Sequence, residues 1–269
     1  MDSMKKYALL DTDFLFKSHI AQKDNANTLA NLVIQFQDYE FICHEMILEE
    51  LGRHQITPDP LPWLNSLIQQ GKVQKYTDAD IINQFQPIYG KNAASMYTTM
   101  LETSCNTFTQ IFFATYYGSL KNLSVDTSDE VFLQELSKCD QAIPHQNGVG
   151  EKKSYVLVQM MQTLAPGRVY VFCSDDFPAR QSLSTLPAPI NCLSILGVFR
   201  KLKMMGYEKA EIKTYYTALT GFLSMQGQTT FRVWSQNGYS RMKVPMAQVF
   251  EDIFDGKFDL LRNGDLKYR

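Results

Sequence analysis

The sequence predicts an α/β fold: a parallel sheet flanked by helices, with a helical insertion in the middle and a helix and β-hairpin at the end. Three observations predict it. Short apolar runs alternate with helix-period segments over residues 5–76 and again over 145–205, the pattern of a parallel sheet with crossover helices. Residues 78–140 switch to long helical stretches with Met, Phe and Tyr faces. Residues 229–244 carry β-rich segments around Asn237-Gly238, whose tolerance of positive φ suits a tight hairpin turn.

The elements follow in order. Residues 7–10 (YALL) form a short apolar strand ending at Asp11. Leu29, Leu32, Val33 and Phe36 recur at helical spacing, so a helix is expected from Asn27 to Gln37. Tyr39–Cys43 reads as a second strand and Glu45–His54 as a helix. The segment TPDPLP ends that helix, because proline lacks the amide donor and restricts the residue before it. A helix over Trp63–Gln70 and a strand over Lys72–Tyr76 continue the alternation. After the helical insertion, Gly148–Gly150 opens a helix through Glu151–Leu164. Arg168–Ser174 (RVYVFCS) is β-rich and runs into Asp175-Asp176. A helix over Phe177–Leu183, a strand over Ile190–Leu193 and a helix over Ser194–Met205 complete the unit. Residues 206–269 add a helix to about Leu223, the hairpin and a helix over Ala247–Phe254. The chain thus divides into an α/β unit, 1–205, holding the insertion at about 78–140, and an extension, 206–269.

Composition narrows the function. A chain of 269 residues with 45% hydrophobic content can bury a full core. The formal net charge of −2 removes the signature of a broadly basic nucleic-acid binder, so such binding must rest on local patches. Cys43, Cys105, Cys139, Cys173 and Cys192 are odd in number and form no C-x-x-C pair. Reduced thiols are expected, not a zinc ribbon or a disulfide framework. No secretory h-region follows Lys5-Lys6, and no apolar run reaches the ~20 residues of a membrane span. A soluble, cytoplasmic protein is the expectation.

Carboxylates gather at predicted element ends. In open parallel sheets ligands bind beyond the carboxyl ends of the strands. Asp11 and Asp13 follow the first strand, Asp175 and Asp176 follow RVYVFCS, and Glu151 stands at the start of the preceding helix. Glu49 or Glu50 in MILEELGR supplies a further carboxylate. Oxygen ligands suit hard cations such as Mg²⁺ and Mn²⁺, which relieve carboxylate repulsion and can clamp a phosphodiester. The plainer alternative for Asp11-Thr12-Asp13 and for Asp175-Asp176 is helix N-capping.

The segments YALLDTDFLF, FICHEMILEELGR, GVGEKKSYVLV and VYVFCSDDFPAR, in this order, resemble the acidic motifs of PIN-like nuclease domains. The resemblance is greatest to a bacterial branch with a Gly-Glu helix start and an Asp-Asp-x-x-Ala-Arg signature. It spans residues 5–76 and 145–205 and leaves the insertion and the C-terminus outside. It implies metal-dependent hydrolysis of phosphodiester bonds, usually in RNA, with Asp11, Glu50, Glu151 and Asp176 holding Mg²⁺ or Mn²⁺. Asp13 and Asp175 fall where a polar residue assists such a site. Arg180, one turn beyond the last aspartates, would contact phosphate or lock a carboxylate. Lys153 and Ser154 depart from the pattern, since small or acidic residues are common at their positions.

Other motifs fail on spacing. His44-Glu45 is no zinc-protease motif, because Leu48 stands where the second histidine is required. GVGEKKS lacks the spacing of a phosphate-binding loop. The hairpin carries Arg232, Trp234, Tyr239, Arg241 and Lys243, a candidate basic-aromatic surface for RNA. An amphipathic hairpin packed on the domain explains the same residues. The resulting expectation is an endoribonuclease whose partners are RNA and, as candidates, a protein inhibitor or a second copy of the chain. The rivals are a binding protein with an impaired site, a nuclease for branched DNA, and a phosphohydrolase for small phosphate compounds.

Overall fold

A computed structural model describes residues 5–24, 27–53, 57, 59–236 and 240–269. In chain order it forms β1 (Lys6–Leu10), α1 (Thr12–Ile20), β2 (Gln22–Asp24), β3 (Asn27–Thr28), α2 (Leu29–Val33), β4 (Tyr39–His44), α3 (Glu45–Arg53), α4 (Leu61–Gln69) and β5 (Val73–Tyr76). The insertion contributes α5 (Asp78–Tyr89), α6 (Ala93–Phe108), α7 (Phe112–Tyr116) and α8 (Asp129–Ala142). Then come α9 (Val149–Leu164), β6 (Tyr170–Cys173), α10 (Phe177–Ser184), β7 (Asn191–Leu193), α11 (Ile195–Met204) and α12 (Lys209–Met225). The chain closes with β8 (Thr230–Trp234), β9 (Arg241–Pro245), α13 (Met246–Phe254), β10 (Phe258–Leu260) and β11 (Leu266–Tyr268).

Five strands make one parallel sheet in the order β5-β4-β1-β6-β7. The chain therefore builds outward from β1 on one side and returns to build on the other, which makes the β1–β6 seam a topological switch point. Alternation along the strands divides the interior into two cores. Ala8, Leu10, Phe41, Cys43, Val171 and Cys173 face one of them. Leu9, Ile42, Tyr170 and Phe172 face the other. The insertion covers the second face through buried residues such as Ile81, Phe85, Tyr97 and Leu101. The first face is closed by α1, α11 and the C-terminal elements, with Tyr216, Phe250 and Phe258 in the same core as Leu10.

Several elements differ from the sequence-based expectation. The helix expected from Asn27 to Gln37 is confined to α2: β2 and β3 pair antiparallel just before it, Thr28 caps it through a bond from Asn31 N, and turn bonds from Gln35 N to Leu32 O and Phe36 N to Val33 O end it. A helix, α1, starts directly after Asp11 and buries Phe14 and Leu15. The C-terminal hairpin forms as β8 paired with β9, while its Asn237-Gly238 turn and Tyr239 lie outside the described residues. It belongs to a four-stranded sheet, β10-β11-β8-β9, whose second hairpin the sequence reading did not anticipate. The five cysteines are buried and free. Among the described residues no helix is long and apolar enough to cross a membrane.

Candidate active site

The switch point sets the site. Leu10 pairs with Cys173 across the β1–β6 seam, so Asp11 and Ser174 leave the sheet side by side. Ser174 Oγ donates to Asp11 Oδ2 at 2.7 Å. Asp11 occupies the N-cap position of α1 and Asp176 that of α10, yet neither side chain makes a capping bond. Both carboxylates are thereby left for other uses, against the plainer capping alternative.

Two further acids arrive from helices. Glu151 lies in the first turn of α9. Glu50 accepts from Thr12 Oγ1 at 2.6 Å and from Gly150 N at 3.2 Å, while Glu49 is exposed. Gly150 makes that approach feasible, since a Cβ at that position would fall 2.6 Å from Glu50 Oε1. Asp11, Glu50, Glu151 and Asp176 line one cavity of about 650 Å³, together with Asp13. Thr12, Arg53, His145, Gln146 and Asn147 add to its polar lining. The first residues of α1 and α9 and the N-cap of α10 all reach this cavity. Helix N-termini present unpaired N–H groups and a positive dipole end, which favour anions and phosphate.

The electrostatics are those of crowded acids in a partly dry setting. Burial pushes Asp11 up to about 7, opposed by the Ser174 bond and reinforced by Glu50 and Asp13. Glu151 is pushed up to about 8 by burial, then by the charges of Asp11 and Asp176 and a hydrogen bond to Asp176. Burial also raises Asp13, although Lys17 opposes it. The donor set is all oxygen, which fits Mg²⁺ or Mn²⁺. As the side chains stand, no group of three or more His, Cys, Asp or Glu among the described residues is arranged to hold an ion. The carboxylates instead spend hydrogen bonds on Ser174, Thr12, Gly150 N and one another.

The remaining expected site residues are placed elsewhere. Asp175, expected beside the metal ligands, accepts from Lys17 Nζ at 2.8 Å and from Ile195 N at 3.1 Å. Burial disfavours its charge, but Lys17 prevails and holds it below the usual carboxylate range. Lys17 also bonds Asp13 at 2.9 Å, so it ties the site's edge to the start of α11. Arg180, expected to touch phosphate or lock a carboxylate, pairs with Asp265, which precedes β11. It is buried, with Nη1 donating to Asn263 O at 2.5 Å and to Asp265 Oδ1 at 2.9 Å. Trp234 Nε1 donates to the other oxygen of Asp265 at 2.8 Å, and Arg241 pairs with that oxygen as well. Trp234 and Arg241, expected on an RNA surface, join Arg180 in fastening the C-terminal sheet to the α/β unit. Arg232 and Lys243 are exposed and opposite one another across β8 and β9.

Lys153, the departure from the acidic pattern, points away from the site. It is fully buried and pairs with Asp78 at 2.5 Å and with Asp140, both from the insertion. Tyr97 and Tyr117 donate to Asp78 and Asp140, and His44 Nε2 lies 3.2 Å from Asp78. Burial opposes its charge, but the charges of Lys153 and His44 hold Asp78 far below the usual range. This network presses α9 against the insertion and leaves the opposite edge of its first turn to Glu151. The sequence reading missed Thr12, Ser174 and Gly150, which position the acids. Compared with family models, with curated proteins and with solved structures, the chain matches none at a significant level.

Proposed function

We propose that the protein is a metal-dependent nuclease, an endoribonuclease of PIN-like type, acting at the carboxylate cavity. One observation carries this reading. Carboxylates from four separate elements, Asp11, Glu50, Glu151 and Asp176, line a single open cavity at the sheet's switch point. Burying like charges together raises the free energy of the fold, so such a cluster calls for a compensating cation. Bound there, Mg²⁺ or Mn²⁺ would activate water and stabilise the leaving oxygen of a phosphodiester. The chain's own part is to hold the acids and to receive the strand. Ser174 and Thr12 orient Asp11 and Glu50, the three helix starts attract the phosphate, and Arg53 at the cavity wall adds a cation beside it.

The test is cleavage of labelled single-stranded RNA, structured RNA and DNA with Mn²⁺, Mg²⁺ or EDTA. Metal-dependent cutting of RNA by the wild type, lost in Asp11→Asn, is the expected result. Cutting that is equal in wild type and variant, or absent with every metal and polymer, overturns the proposal in favour of a binding protein. A preference for branched DNA replaces the polymer and keeps the site.

A further inference from the structure

A second cavity, of about 390 Å³, lies between α10, α12 and the β8–β9 hairpin, where the α/β unit meets the C-terminal sheet. Its walls are apolar at Phe177, Leu219, Leu223 and Phe231 and cationic at Arg180, Arg232 and Arg241. Arg180 and Arg241 share the single carboxylate of Asp265, which leaves one positive charge over. Arg232 is exposed and makes no ion pair among the described residues, so it adds a second. The cavity's lysine, Lys17, faces two carboxylates, Asp13 and Asp175, so this cluster adds no positive charge. Asp175 in turn is occupied by Lys17 and Ile195 N. Arg180 and Arg241 each also keep a buried Nε–H that meets no acceptor among the described residues. Buried donors are nearly always paired, so these two guanidinium groups beside the cavity have hydrogen-bonding capacity that the described residues leave unused.

We infer that this cavity binds a nucleotide, its phosphate held by Arg232 and the Arg180–Arg241 pair and its base against the apolar wall. Guanidinium groups match phosphate oxygens and also stack on flat rings, as Arg241 already does on Phe177 at 3.3 Å. The size and the mix of apolar wall with a few charged groups fit one small ligand. Position strengthens the choice over other anions. Asp175 lines this cavity and Asp176 the carboxylate one, and Lys17 here bonds Asp13 there. A strand held at the carboxylates therefore has its neighbouring nucleotide within reach. The nucleotide can come from that strand or be free in solution. Only the strand source rests on the nuclease proposal.

The experiment is equilibrium titration of the full chain, in EDTA so that metal-dependent cutting does not intervene, with AMP, adenosine and a 5′-phosphorylated RNA pentanucleotide. AMP is expected to saturate a single site and adenosine to bind far more weakly. Arg232→Ala is expected to weaken AMP binding about ten- to a hundredfold at unchanged melting temperature. Lys243→Ala, the same charge loss on the facing strand outside the cavity, is expected to leave it within about twofold. Displacement of AMP by the pentanucleotide assigns the cavity to the strand, and retention of AMP assigns it to a free nucleotide. The inference is overturned if AMP does not saturate, if adenosine binds as well as AMP, or if the two variants weaken AMP equally. None of these outcomes depends on cleavage, so the nuclease proposal stands or falls separately.

Discussion

Asp11 and Glu151 combine burial with like-charged neighbours, and that combination dictates how the fold responds to pH. Their folded values, about 7 and about 8, lie above the ordinary carboxylate values of 3.8 and 4.5. The folded protein therefore binds more protons than the unfolded chain through the interval between, and linkage makes stability fall as pH rises there. Their favourable contribution is complete below about pH 4 and is lost as pH passes about 7 to 8. Asp78 and Asp175 have the opposite sign, but their windows lie below the ordinary aspartate range and do not overlap. In EDTA the melting temperature is expected to drop between about pH 5.5 and 8.5, and Asp11→Asn to flatten the drop. A melting temperature that rises across this interval contradicts the arrangement of acids described. Gly150 gives a second test, because a methyl there displaces the Glu50 carboxylate from the start of α9. Gly150→Ala is expected to keep the fold and lower kcat/KM for RNA on the order of a hundredfold. An unchanged kcat/KM would remove Glu50 from the working site. Asp11, Asp13, Asp176 and Glu151 were legible because they follow strand ends or open a helix. Asp175 was misplaced because neighbouring residues of an extended segment point in different directions, and no local pattern says which meets the cavity. Thr12 and Ser174 were not legible, since their partners Glu50 and Asp11 are remote in the chain.

At the scale of elements, α9 joins the two halves of the structure. One edge of its first turn carries Glu151 to the cavity, and Lys153 two residues on is buried against α5 and α8 through Asp78 and Asp140. Removing one member of a buried ion network strands the others in a poorly solvated place. Lys153→Met is expected to cost about 3–5 kcal/mol in urea unfolding. A loss below about 1 kcal/mol would mean that the network is no stronger than a surface pair. The strands and helices of the parallel sheet were legible because their apolar runs are short, β-rich and bounded by turn residues. The second C-terminal hairpin had a signal that the sequence reading passed over. Asn263-Gly264 separates β10 from β11, and Gly264 takes φ +78° in a place where a Cβ would meet Arg180 Nη1 and Ser194 N at 3.1 Å. Its strands have three residues each, too few to show alternation. The helix expected from Asn27 to Gln37 loses its start to the β2–β3 pairing and its end to turn bonds from Gln35 N to Leu32 O and from Phe36 N to Val33 O, which residue spacing cannot register.

At the scale of the whole molecule, the sequence suggested an α/β unit ending near residue 205 with an extension behind it, whereas the packing joins the two. Ile212, Leu219, Val233, Val249, Phe250 and Phe258 share one core with Ala8, Leu10, Phe14 and Val171 of the sheet. Asp265 adds a polar fastening through Arg180 and Arg241. Each fully buried apolar side chain of this size contributes ~1.5–3 kcal/mol. Removing a handful of them therefore costs about as much as the ~5–15 kcal/mol by which a domain is normally stable. The cut would also expose the faces of α1 and α11 that α12 and α13 cover, leaving Phe14, Val198 and Phe199 with fewer neighbours. A chain ending at Met205 is thus expected to express as an aggregate or as a loose state with weak near-ultraviolet circular dichroism and no cooperative melt. The full chain is expected to melt cooperatively under the same conditions. If the shortened chain instead melts cooperatively and still cuts RNA with Mn²⁺, the C-terminal sheet is dispensable to the fold. The second cavity would then serve only to position a ligand. Failure of the shortened chain makes the C-terminal elements part of the scaffold that holds Asp175 and, next to it, Asp176 in place.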